Sequence, residues 1–349
     1  MSIKFCSVDR RRSHALYRQD IQFELIVGLF SHKGIKIACT ESNDAITANK
    51  YIQYMIRKLI TNWIRAIRVR FLIASAIAAA NGMSVAFWKY SIFDFSSAAL
   101  TFAGVLCLHA SVDLLNDYWD YKRGIDKITK RTKFSGGTGV LPENLLDPKL
   151  VYRIGIIFLI IGALVGMYFV VIRGVTIAFI LGFAILAIYF YSTRIVNSGL
   201  GEVFVMIKGI MIVLGSFYVQ VGIIEPTAIY IGIIIGILSA SVLFVNSFPD
   251  YDADRNSGRR TLVILLGKQK AVKIISVPII APYILITIGI FLGYTKPFSL
   301  VCLLSLPYVF KIIKHIGEHE YLDKFVPAMA ATVMYARITG ILLAISLLV

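Results

Sequence analysis

Long apolar runs dominate this sequence and limit the folds that it can adopt. Residues 152–172 and 174–191 are two consecutive runs made almost entirely of aliphatic and aromatic side chains. A helix that crosses a bilayer needs about 20 mostly apolar residues. We therefore expect an all-α polytopic membrane protein with nine transmembrane helices. The nine runs lie near residues 71–89, 95–115, 152–172, 174–191, 200–221, 223–246, 272–293, 297–312 and 326–348.

Basic residues set the expected topology. The net charge is +16, and Lys and Arg are concentrated in the two longest linkers, 116–151 and 247–271. Cytoplasmic loops of membrane proteins are enriched in such residues. With nine spans, both linkers and the N-terminus fall on the cytoplasmic side of a multi-pass cell-membrane protein, whereas eight spans divide the two halves inconsistently. The charge is therefore explained by topology and anionic lipid, and no nucleic-acid partner is expected.

Residues 1–54 differ from the rest of the chain in their mixed polarity and in the basic stretch RRRSH at 10–14. We expect a cytoplasmic N-terminal extension, partly disordered, followed by a transmembrane domain at 55–349. An alternative is that translation begins at Met55. The stretch that follows it, IRKLITNWIRAIRVRF, has the basic and aromatic composition of a helix at a membrane surface.

The sequence offers little support for a metal site built from thiolates or histidines. Cys6, Cys39, Cys107 and Cys302 are scattered, without a CxxC pair. The segment HIGEH, residues 315–319, has the HxxEH pattern of one class of zinc proteases. Gly317 weakens the helix that such a site requires, and no third ligand is near in the sequence. A zinc site is therefore a minor alternative.

Each of the two basic linkers begins with a short acidic motif. The first is NDYWD, residues 116–120, and the second is NSFPDYDAD, residues 246–254. Each motif follows an apolar run and precedes basic residues, which indicates a weak internal repeat. Repeats in membrane proteins often build one central site from two halves.

The spacing of the acidic residues predicts how they share helix faces. Asn116 and Asp120 are four residues apart, and Asn246, Asp250 and Asp254 follow at the same interval, so each set would form a stripe. Pro249 is expected to kink or loosen the second helix. Two acidic stripes at the same membrane depth repel each other unless cations lie between them. Mg²⁺ suits such a site because it takes oxygen ligands and completes its shell with substrate phosphate.

Basic side chains near the motifs complete this interpretation. Arg123, Lys208, Arg259 and Arg260 are candidates to face the carboxylates. The combination predicts a Mg²⁺ site for a lipid diphosphate, with the lipid tail between the spans. Ionisation of an allylic diphosphate leaves a carbocation that aromatic rings can stabilise before an electron-rich acceptor is alkylated. Candidate rings are Tyr118, Trp119, Tyr189, Tyr191 and Phe248.

These motifs resemble those of the UbiA superfamily of intramembrane prenyltransferases. The family's first motif is NDxxDxxxD, which Asn116, Asp117 and Asp120 match, whereas Gly124 takes the last position and Asp126 follows it. The NDYxDxxxGxD form and the trailing GRRTLVILLG, residues 258–267, are most similar to the menaquinone branch, the 1,4-dihydroxy-2-naphthoate polyprenyltransferases. The segment YSTRIVNSGLGE, residues 191–202, is similar to a family segment but lacks its usual prolines. The likeness covers roughly residues 55–349.

The resemblance implies nine helices around a cavity with a cytoplasmic-side cap, and polyprenyl transfer from an allylic diphosphate to an aromatic acceptor. It implies that Asp117, Asp120, Asp250 and Asp254 are catalytic through Mg²⁺. Arg68 resembles the family's first-helix arginine. The full set of expected substrate-binding residues is Asn116, Asn246, Arg68, Lys122, Asp126, Tyr191, Lys208, Arg259 and Arg260.

Several alternatives stay open on the sequence alone. The aspartates can be solvated helix caps, and the basic residues can serve topology only. SGGTGV, residues 135–140, can bind an anion through backbone N–H groups, act as a lid, or be a plain loop. The acceptor can instead be 4-hydroxybenzoate, haem, another quinone precursor or an ether lipid. Outside this class, a CDP-alcohol phosphotransferase lacks its DGxxAR signature here, and an ion-coupled transporter more often binds its ion at the membrane midplane.

Overall fold

Helices account for all the regular secondary structure of the described residues. The structure is a computed structural model that describes residues 44–129 and 131–349. A π-helical turn covers Tyr191–Ile195 and a 3₁₀ helix covers Pro297–Ser305. The α-helices are α1 Asp44–Ala66, α2 Val69–Tyr90, α3 Phe95–Lys122, α4 Ile125–Ile128, α5 Pro148–Arg173, α6 Val175–Phe190, α7 Gly201–Val221, α8 Pro226–Asn246, α9 Tyr251–Asn256, α10 Leu262–Leu266, α11 Lys268–Ile274, α12 Ser276–Leu292, α13 Leu306–Ile316 and α14 Leu322–Leu348.

The described residues include eight helical stretches that are long and apolar enough to cross a membrane. They are α2, α3, α5, α7, α8, α11 with α12, the 3₁₀ helix with α13, and α14. The predicted fourth span corresponds to α6, which has 16 residues and continues into the π-helical turn. The all-α membrane fold is thus confirmed, while the count of nine spans and the cap stay predictions.

Acidic residues define where several of the long helices begin. The Asp94 carboxylate accepts hydrogen bonds from the backbone N–H groups of Ser96 and Ser97, at the start of α3. Asp147 and Glu225 cap α5 and α8 in the same way, each followed by a proline at the first helical position. An acidic cap satisfies otherwise unpaired N–H groups, and proline is already set for helical geometry there. These short sequences therefore fix the residues at which the three helices begin.

Small residues allow the central helices to pack closely. A Cβ atom added to Gly82 of α2 would lie 2.2 Å from the Val213 carbonyl oxygen of α7. A Cβ on Gly236 of α8 would lie 2.4 Å from the Met206 carbonyl oxygen, also on α7. Membrane helices associate largely through such close backbone packing. The outward faces, by contrast, expose large apolar side chains such as Leu164, Val171, Phe179 and Phe291, as a lipid-facing surface requires.

The chain divides into two units after Thr61, and the helical bundle lies within Asn62–Val349. The predicted boundary after residue 54 falls inside α1, so α1 continues across it without a break in secondary structure. Residues 1–43 of the predicted extension lie outside the described residues. The assignment of 1–54 as a separate extension stays a prediction. All contacts discussed below lie within Asn62–Val349.

One large cavity penetrates the bundle. It has a volume of about 450 Å³ and is lined by α2, α3, α5, α6, α7, α8 and α14. Its walls are mainly apolar, with Phe71, Val105, Leu108 and Phe183 among the lining side chains. At one end it meets both acidic motifs, and α9, α10 and the segment 131–147 lie at the same end. The fold therefore provides an apolar chamber with a charged mouth.

Candidate active site

The first acidic motif forms the last turns of α3 at the cavity mouth. The helix extends to Lys122, past the end of the predicted apolar run at residue 115. The Asn116 amide donates a hydrogen bond to Asp120 Oδ2 at 3.1 Å, so the two side chains share a face as their spacing predicts. Asp117 is 1% exposed and Asp120 is 4% exposed. Solvated capping charges would be exposed, so burial favours a functional interpretation.

The second motif is broken where Pro249 stands. Helix α8 ends at Asn246, and α9 starts at Tyr251, with Asp250 at its N-terminal boundary. This break agrees with the kink expected at Pro249, because a proline ring cannot continue a helical hydrogen-bond ladder. It divides the expected stripe between α8, which carries Asn246, and the start of α9, which carries Asp250 and Asp254. The break still leaves all three side chains lining the cavity. Burial, together with the neighbouring Asp254, raises the pKa of Asp250 to about 7.

Arg259 connects the two motifs. Its Nη1 lies 3.2 Å from Asp254 Oδ1, and its Nη2 donates to Asp120 Oδ1. Burial alone would lower the pKa of this guanidinium, but attraction to Asp120 and Asp254 outweighs burial and raises the pKa. One cation thus neutralises carboxylates from both halves of the site. This contact joins residues that are 139 positions apart in the sequence.

Arg68 likewise neutralises a carboxylate of the first motif, that of Asp117. Its Nη2 lies 2.5 Å from Asp117 Oδ1, and the Thr138 hydroxyl donates to the second oxygen of the same carboxylate. The Arg68 backbone has φ 51° and ψ 47°, a left-handed conformation that few non-glycine residues adopt. Its position just before α2 aims the side chain at Asp117. Such uncommon backbone geometry is frequent at functional sites.

The glycine-rich segment 135–140 lies over the mouth of the site. The Gly136 N–H donates to Asp250 Oδ2 at 3.2 Å, while Thr138 reaches Asp117, so this segment contacts both motifs. The Thr138 carbonyl accepts a hydrogen bond from Arg65 Nε at 2.6 Å, and Arg65 also pairs with Glu143. These contacts distinguish the segment from a plain loop. It covers the acidic residues and supplies them with one backbone donor, the Gly136 N–H, and one side-chain donor, the Thr138 hydroxyl.

Asp126 belongs to this site as well. The chain turns at Gly124, where φ is +79°, and begins the short helix α4. The turn explains why glycine takes the last position of the first motif, and it brings the Asp126 carboxyl beside the others. Asp126 is 4% exposed, and burial together with Asp117 and Asp120 raises its pKa to about 8.

The remaining predicted residues lie in different places. Tyr191 and Arg260 line the cavity, and Lys208 lines it on α7 near Asp113 of α3. Lys122 is exposed, and its ammonium lies over the ring of Trp119, 5.0 Å from the centroid, so the structure does not bring it to the cavity. Of the five candidate aromatic rings, Tyr191 lines the cavity, whereas Phe248 is buried against Phe325.

The alternative zinc site is not assembled. Helix α13 ends at Ile316, before the HxxEH pattern is complete. Glu318 lies 3.6 Å from Lys324, and the His319 ring packs against Phe248. Across residues 44–129 and 131–349, no three His, Cys, Asp or Glu side chains form a ready metal-binding group. This finding also applies to the acidic motifs, whose carboxylates pair with Arg68 and Arg259.

The oxygen donors of the motifs nevertheless suit Mg²⁺. Asn246 Oδ1 and Asp250 Oδ1 are buried without a hydrogen-bond partner. Mg²⁺ takes one or two carboxylates per ion and completes its shell with water and phosphate, so a closed protein cage is not required. The four aspartates supply oxygens of the kind that Mg²⁺ binds, from two helical segments that meet at the cavity mouth.

Sequence reasoning missed several residues that line the same cavity. His109 and Asp113 lie on α3, Ser75 lies on α2, and Glu202 begins α7. The Glu202 carboxylate accepts the Leu262 N–H at 3.2 Å and ties α7 to α10. His109, Asp113 and Asp117 follow one another at intervals of four, so the helical period already places them on one face.

Comparison with known proteins identifies the family. The family model for the UbiA prenyltransferase family matches residues 73–324, more than half of the chain. The chain is 29% identical over 249 residues to the 1,4-dihydroxy-2-naphthoate octaprenyltransferase of Bacillus subtilis (strain 168), covering 70% of this chain and 78% of that protein. The Escherichia coli (strain K12) protein of the same name is 29% identical over 219 residues, which are 60% of this chain and 70% of that one.

A solved structure agrees in fold. The structure of a UbiA homolog from Archaeoglobus fulgidus, bound to GPP and Mg²⁺, superposes with a TM-score of 0.57. The alignment covers 81% of this chain and 99% of that one at 13% identity, so it is the fold that the two share. Taken with the family match, the paired acidic motifs at the mouth of an apolar intramembrane cavity have one explanation: the chain belongs to the UbiA prenyltransferase family and is a membrane-bound prenyltransferase.

Proposed function

We propose that this enzyme transfers a polyprenyl group from an allylic polyprenyl diphosphate to 1,4-dihydroxy-2-naphthoate, in menaquinone biosynthesis. The observation that carries the proposal is the pair of buried acidic motifs, which meet through Arg259 at the mouth of an apolar cavity. The choice of acceptor is supported by the names of the relatives from B. subtilis and E. coli. Family membership leaves no need for a phosphotransferase or transporter function.

The four motif aspartates would hold Mg²⁺ in this proposal. Asp117 and Asp120 supply oxygens from α3, and Asp250 and Asp254 supply them from the α8–α9 region. When bound, Mg²⁺ stabilises the negative charge that develops on the departing diphosphate. The buried position of the carboxylates excludes bulk water from that charge, which strengthens each electrostatic contact.

The surrounding residues would bind the diphosphate. Arg68 and Arg259 now neutralise aspartates, and each guanidinium has the fork geometry that also fits phosphate oxygens. Arg260 lines the same mouth, and Asn116 and Asn246 offer amide groups there. Asp126 adds a further carboxyl. Lys122, which is exposed outside the cavity, is assigned only to attraction of the anionic substrate at long range.

The apolar cavity would hold the prenyl chain and the reacting carbon. A volume of about 450 Å³, lined mainly by aliphatic and aromatic side chains, suits an isoprenoid tail. Departure of the diphosphate leaves an allylic cation, and the π face of Tyr191 at the mouth can stabilise it. The enclosed walls keep water away from this cation, so alkylation of an aromatic ring is favoured over hydrolysis.

We infer further that the mouth of the cavity faces the cytoplasm. The linkers that flank the motifs carry most of the loop Lys and Arg residues, and Arg131, Lys149, Arg255 and Lys270 are among them. Basic loops stay on the cytoplasmic side during insertion. A soluble acceptor made in the cytoplasm would then reach the site without crossing the bilayer.

The test is a product assay with the full chain. Purified protein is incubated with Mg²⁺, geranylgeranyl diphosphate and, separately, 1,4-dihydroxy-2-naphthoate, 4-hydroxybenzoate, homogentisate, haem or a glyceryl phosphate ether lipid. Mass spectrometry identifies the products. We expect Mg²⁺-dependent release of diphosphate and a prenylated product with the naphthoate. Prenylation of another acceptor instead would contradict the proposed substrate, and metal-independent turnover would contradict the proposed site.

A further inference from the structure

A second polar cluster lies deeper in the cavity, away from the acidic motifs. Ser75 of α2, His109 and Asp113 of α3 and Lys208 of α7 all line the cavity wall. Three helices therefore bring four polar side chains to one place among apolar neighbours. Charged residues inside a membrane domain are rare, and they usually serve a ligand or a reaction.

The cluster is only partly satisfied by its own contacts. Ser75 Oγ lies 2.7 Å from His109 Nδ1, which fixes the orientation of the imidazole ring. His109 Nε2 lies 3.8 Å from Asp113 Oδ2, too far for a hydrogen bond. Asp113 Oδ2 is buried and has no hydrogen-bond partner. Lys208 on the facing helix interacts electrostatically with Asp113, as does Arg68.

The depth of the cluster separates it from the diphosphate. At about 1.5 Å of rise per residue, Asp113 lies about 6 Å and His109 about 12 Å below Asp117 along α3. A diphosphate at the motifs directs its allylic carbon into the cavity towards this cluster. The prenyl tail that follows carries no polar group, so it offers nothing to an ammonium and a carboxylate.

We infer that this cluster binds the polar substituents of the aromatic acceptor. An acceptor with a phenolic hydroxyl beside a carboxylate offers one donor and one anion. Lys208 pairs with the acceptor carboxylate, and Asp113 accepts the hydrogen bond of the phenolic hydroxyl. Ser75 fixes the imidazole ring of His109, which lies one helical turn from Asp113 on the same wall of the cavity. This inference rests on the proposed prenyl transfer and assigns the acceptor end of that same cavity.

The contact also gives Asp113 a role in the reaction. Its carboxylate takes the phenolic proton, and the O–H electron pair enters the ring and makes the ring carbon nucleophilic. The diphosphate has by then left with the electron pair of the allylic C–O bond, and the ring carbon bonds to the resulting allylic cation. If the alkylated carbon bears a carboxylate, carbon dioxide leaves, the ring regains aromaticity, and Asp113 returns the proton to the oxygen. If it bears hydrogen, that hydrogen passes as a proton to the departed diphosphate instead, and Asp113 again returns its proton to the oxygen.

Steady-state kinetics of the full-length enzyme with Mg²⁺ test this assignment. The donor is geranylgeranyl diphosphate, and the acceptors are 1,4-dihydroxy-2-naphthoate and 1,4-naphthalenediol, which lacks the carboxylate. Asp113→Asn should lower kcat by about tenfold or more, while the donor KM is unchanged. Lys208→Met should raise the KM for the naphthoate by about tenfold or more, as expected for a lost charged hydrogen bond. The Lys208→Met enzyme should also lose the preference, measured as the ratio of kcat/KM values, for the naphthoate over the diol.

Matched variants separate binding from folding. Lys208→Arg keeps the positive charge and should restore the preference for the naphthoate. Asp323→Asn changes an exposed carboxyl at the start of α14 and should leave all constants unchanged. The inference is overturned if Lys208→Met keeps its acceptor preference, or if the variants raise the donor KM instead. If the wild-type enzyme alkylates neither acceptor, the proposed function fails first, and this assignment falls with it.

Discussion

Arg68 and Arg259 are the counter-ions of the buried motif carboxylates. Each guanidinium pairs with a buried motif carboxylate, and Arg259 pairs with one from each motif. Two or more buried carboxylates without such partners would repel each other and lose much of their negative charge. We therefore interpret the arginines as the cations that neutralise the carboxylates until Mg²⁺ does so, and that are then free to bind the diphosphate.

Removing the Arg259 bridge should destabilise the enzyme more without Mg²⁺ than with Mg²⁺. Arg259→Gln leaves Asp120 and Asp254 buried without their cation, and loss of one partner of a buried pair costs about 3–5 kcal/mol. We expect a lower Tm without Mg²⁺ and a larger rise in Tm on Mg²⁺ addition than in the wild type. Arg255→Gln, at an exposed position on α9, is the control. An unchanged Mg²⁺ response in Arg259→Gln would argue against Arg259 as a stand-in for the metal.

The motif aspartates should act as one unit. Asp117→Asn and Asp250→Asn keep the side-chain shape but each remove one ligand charge. Loss of metal-mediated stabilisation worth several kcal/mol should lower turnover by a few orders of magnitude. The double variant should be little worse than either single one, because residues that act together are strongly non-additive. Turnover at saturating Mg²⁺ and donor is the measurement.

The adjacent Asp252 provides a matched control for these two variants. Asp252 belongs to the second motif, as Asp250 does, but its side chain is 80% exposed and lies 3.5 Å from Lys268. Asp252→Asn should therefore have nearly normal turnover. The two-motif diphosphate site is wrong if either Asp117→Asn or Asp250→Asn keeps more than roughly a tenth of wild-type turnover.

The residues of the site were predictable to different degrees. Asn116 and Asp120 share a helix face because of their spacing, and sequence alone is enough to show it. The pairing of Arg259 with Asp120 was not predictable, since it depends on how α3 and the α8–α9 region meet in three dimensions. Asp113 was missed although its interval from Asp117 is that of one helical turn. The family motif begins at Asn116, so the helical turn before it, which carries Asp113, lies outside the motif.

At the scale of elements, the glycine-rich segment 135–140 is the part most directly joined to both motifs. Gly136 and Thr138 contact Asp250 and Asp117, and Arg65 holds the Thr138 carbonyl. Sequence alone could not decide between an anion-binding turn, a lid and a plain loop, because the segment's partners come from distant parts of the chain. Its contacts favour a cover that must adjust when diphosphate enters.

Gly137 allows this cover to lie close to Asp126. Its φ is +72°, and an added Cβ would lie 2.5 Å from Asp126 Oδ1. Gly137→Ala should push the segment away from the mouth and raise the KM for geranylgeranyl diphosphate by about tenfold, equivalent to about 1.4 kcal/mol. Gly293→Ala is the control, since φ there is +74° but no atom lies within 4 Å of the added Cβ. If Gly137→Ala and Gly293→Ala have the same KM for geranylgeranyl diphosphate, the segment 135–140 does not help to bind the diphosphate.

At the scale of the whole molecule, hydropathy predicted the presence of the long helices better than the residues at which they end. The run expected at 95–115 continues as helix to Lys122, because the polar motif residues point into the protein rather than into water. The run expected at 174–191 ends in a π-helical turn at Tyr191. Both deviations occur at the site, where internal polar contacts override the apolar pattern. The orientation of the bundle in the membrane rests on charge alone.

Cysteine labelling can test that orientation. Cys6, Cys39, Cys107 and Cys302 are first replaced, and single cysteines are then introduced at Ser135, Ser257 or Ser91. Ser135 and Ser257 lie in the two basic linkers, and Ser91 is an exposed residue at the opposite end of α2 and α3 from the motifs. Because basic loops stay in the cytoplasm, we expect a membrane-impermeant maleimide to label Ser135→Cys and Ser257→Cys only after cells are opened.

The Ser91→Cys variant should show the reverse behaviour and react in intact cells. This control is needed because a half-buried cysteine at position 135 could be slow to react from either side. Saturating geranylgeranyl diphosphate with Mg²⁺ should slow labelling at position 135, beside the site, more than at position 257. Labelling of Ser135→Cys or Ser257→Cys in intact cells would place the active site on the outer face and refute the positive-inside argument. It would also refute nine spans with a cytoplasmic N-terminus, because that arrangement requires both linkers to be inside.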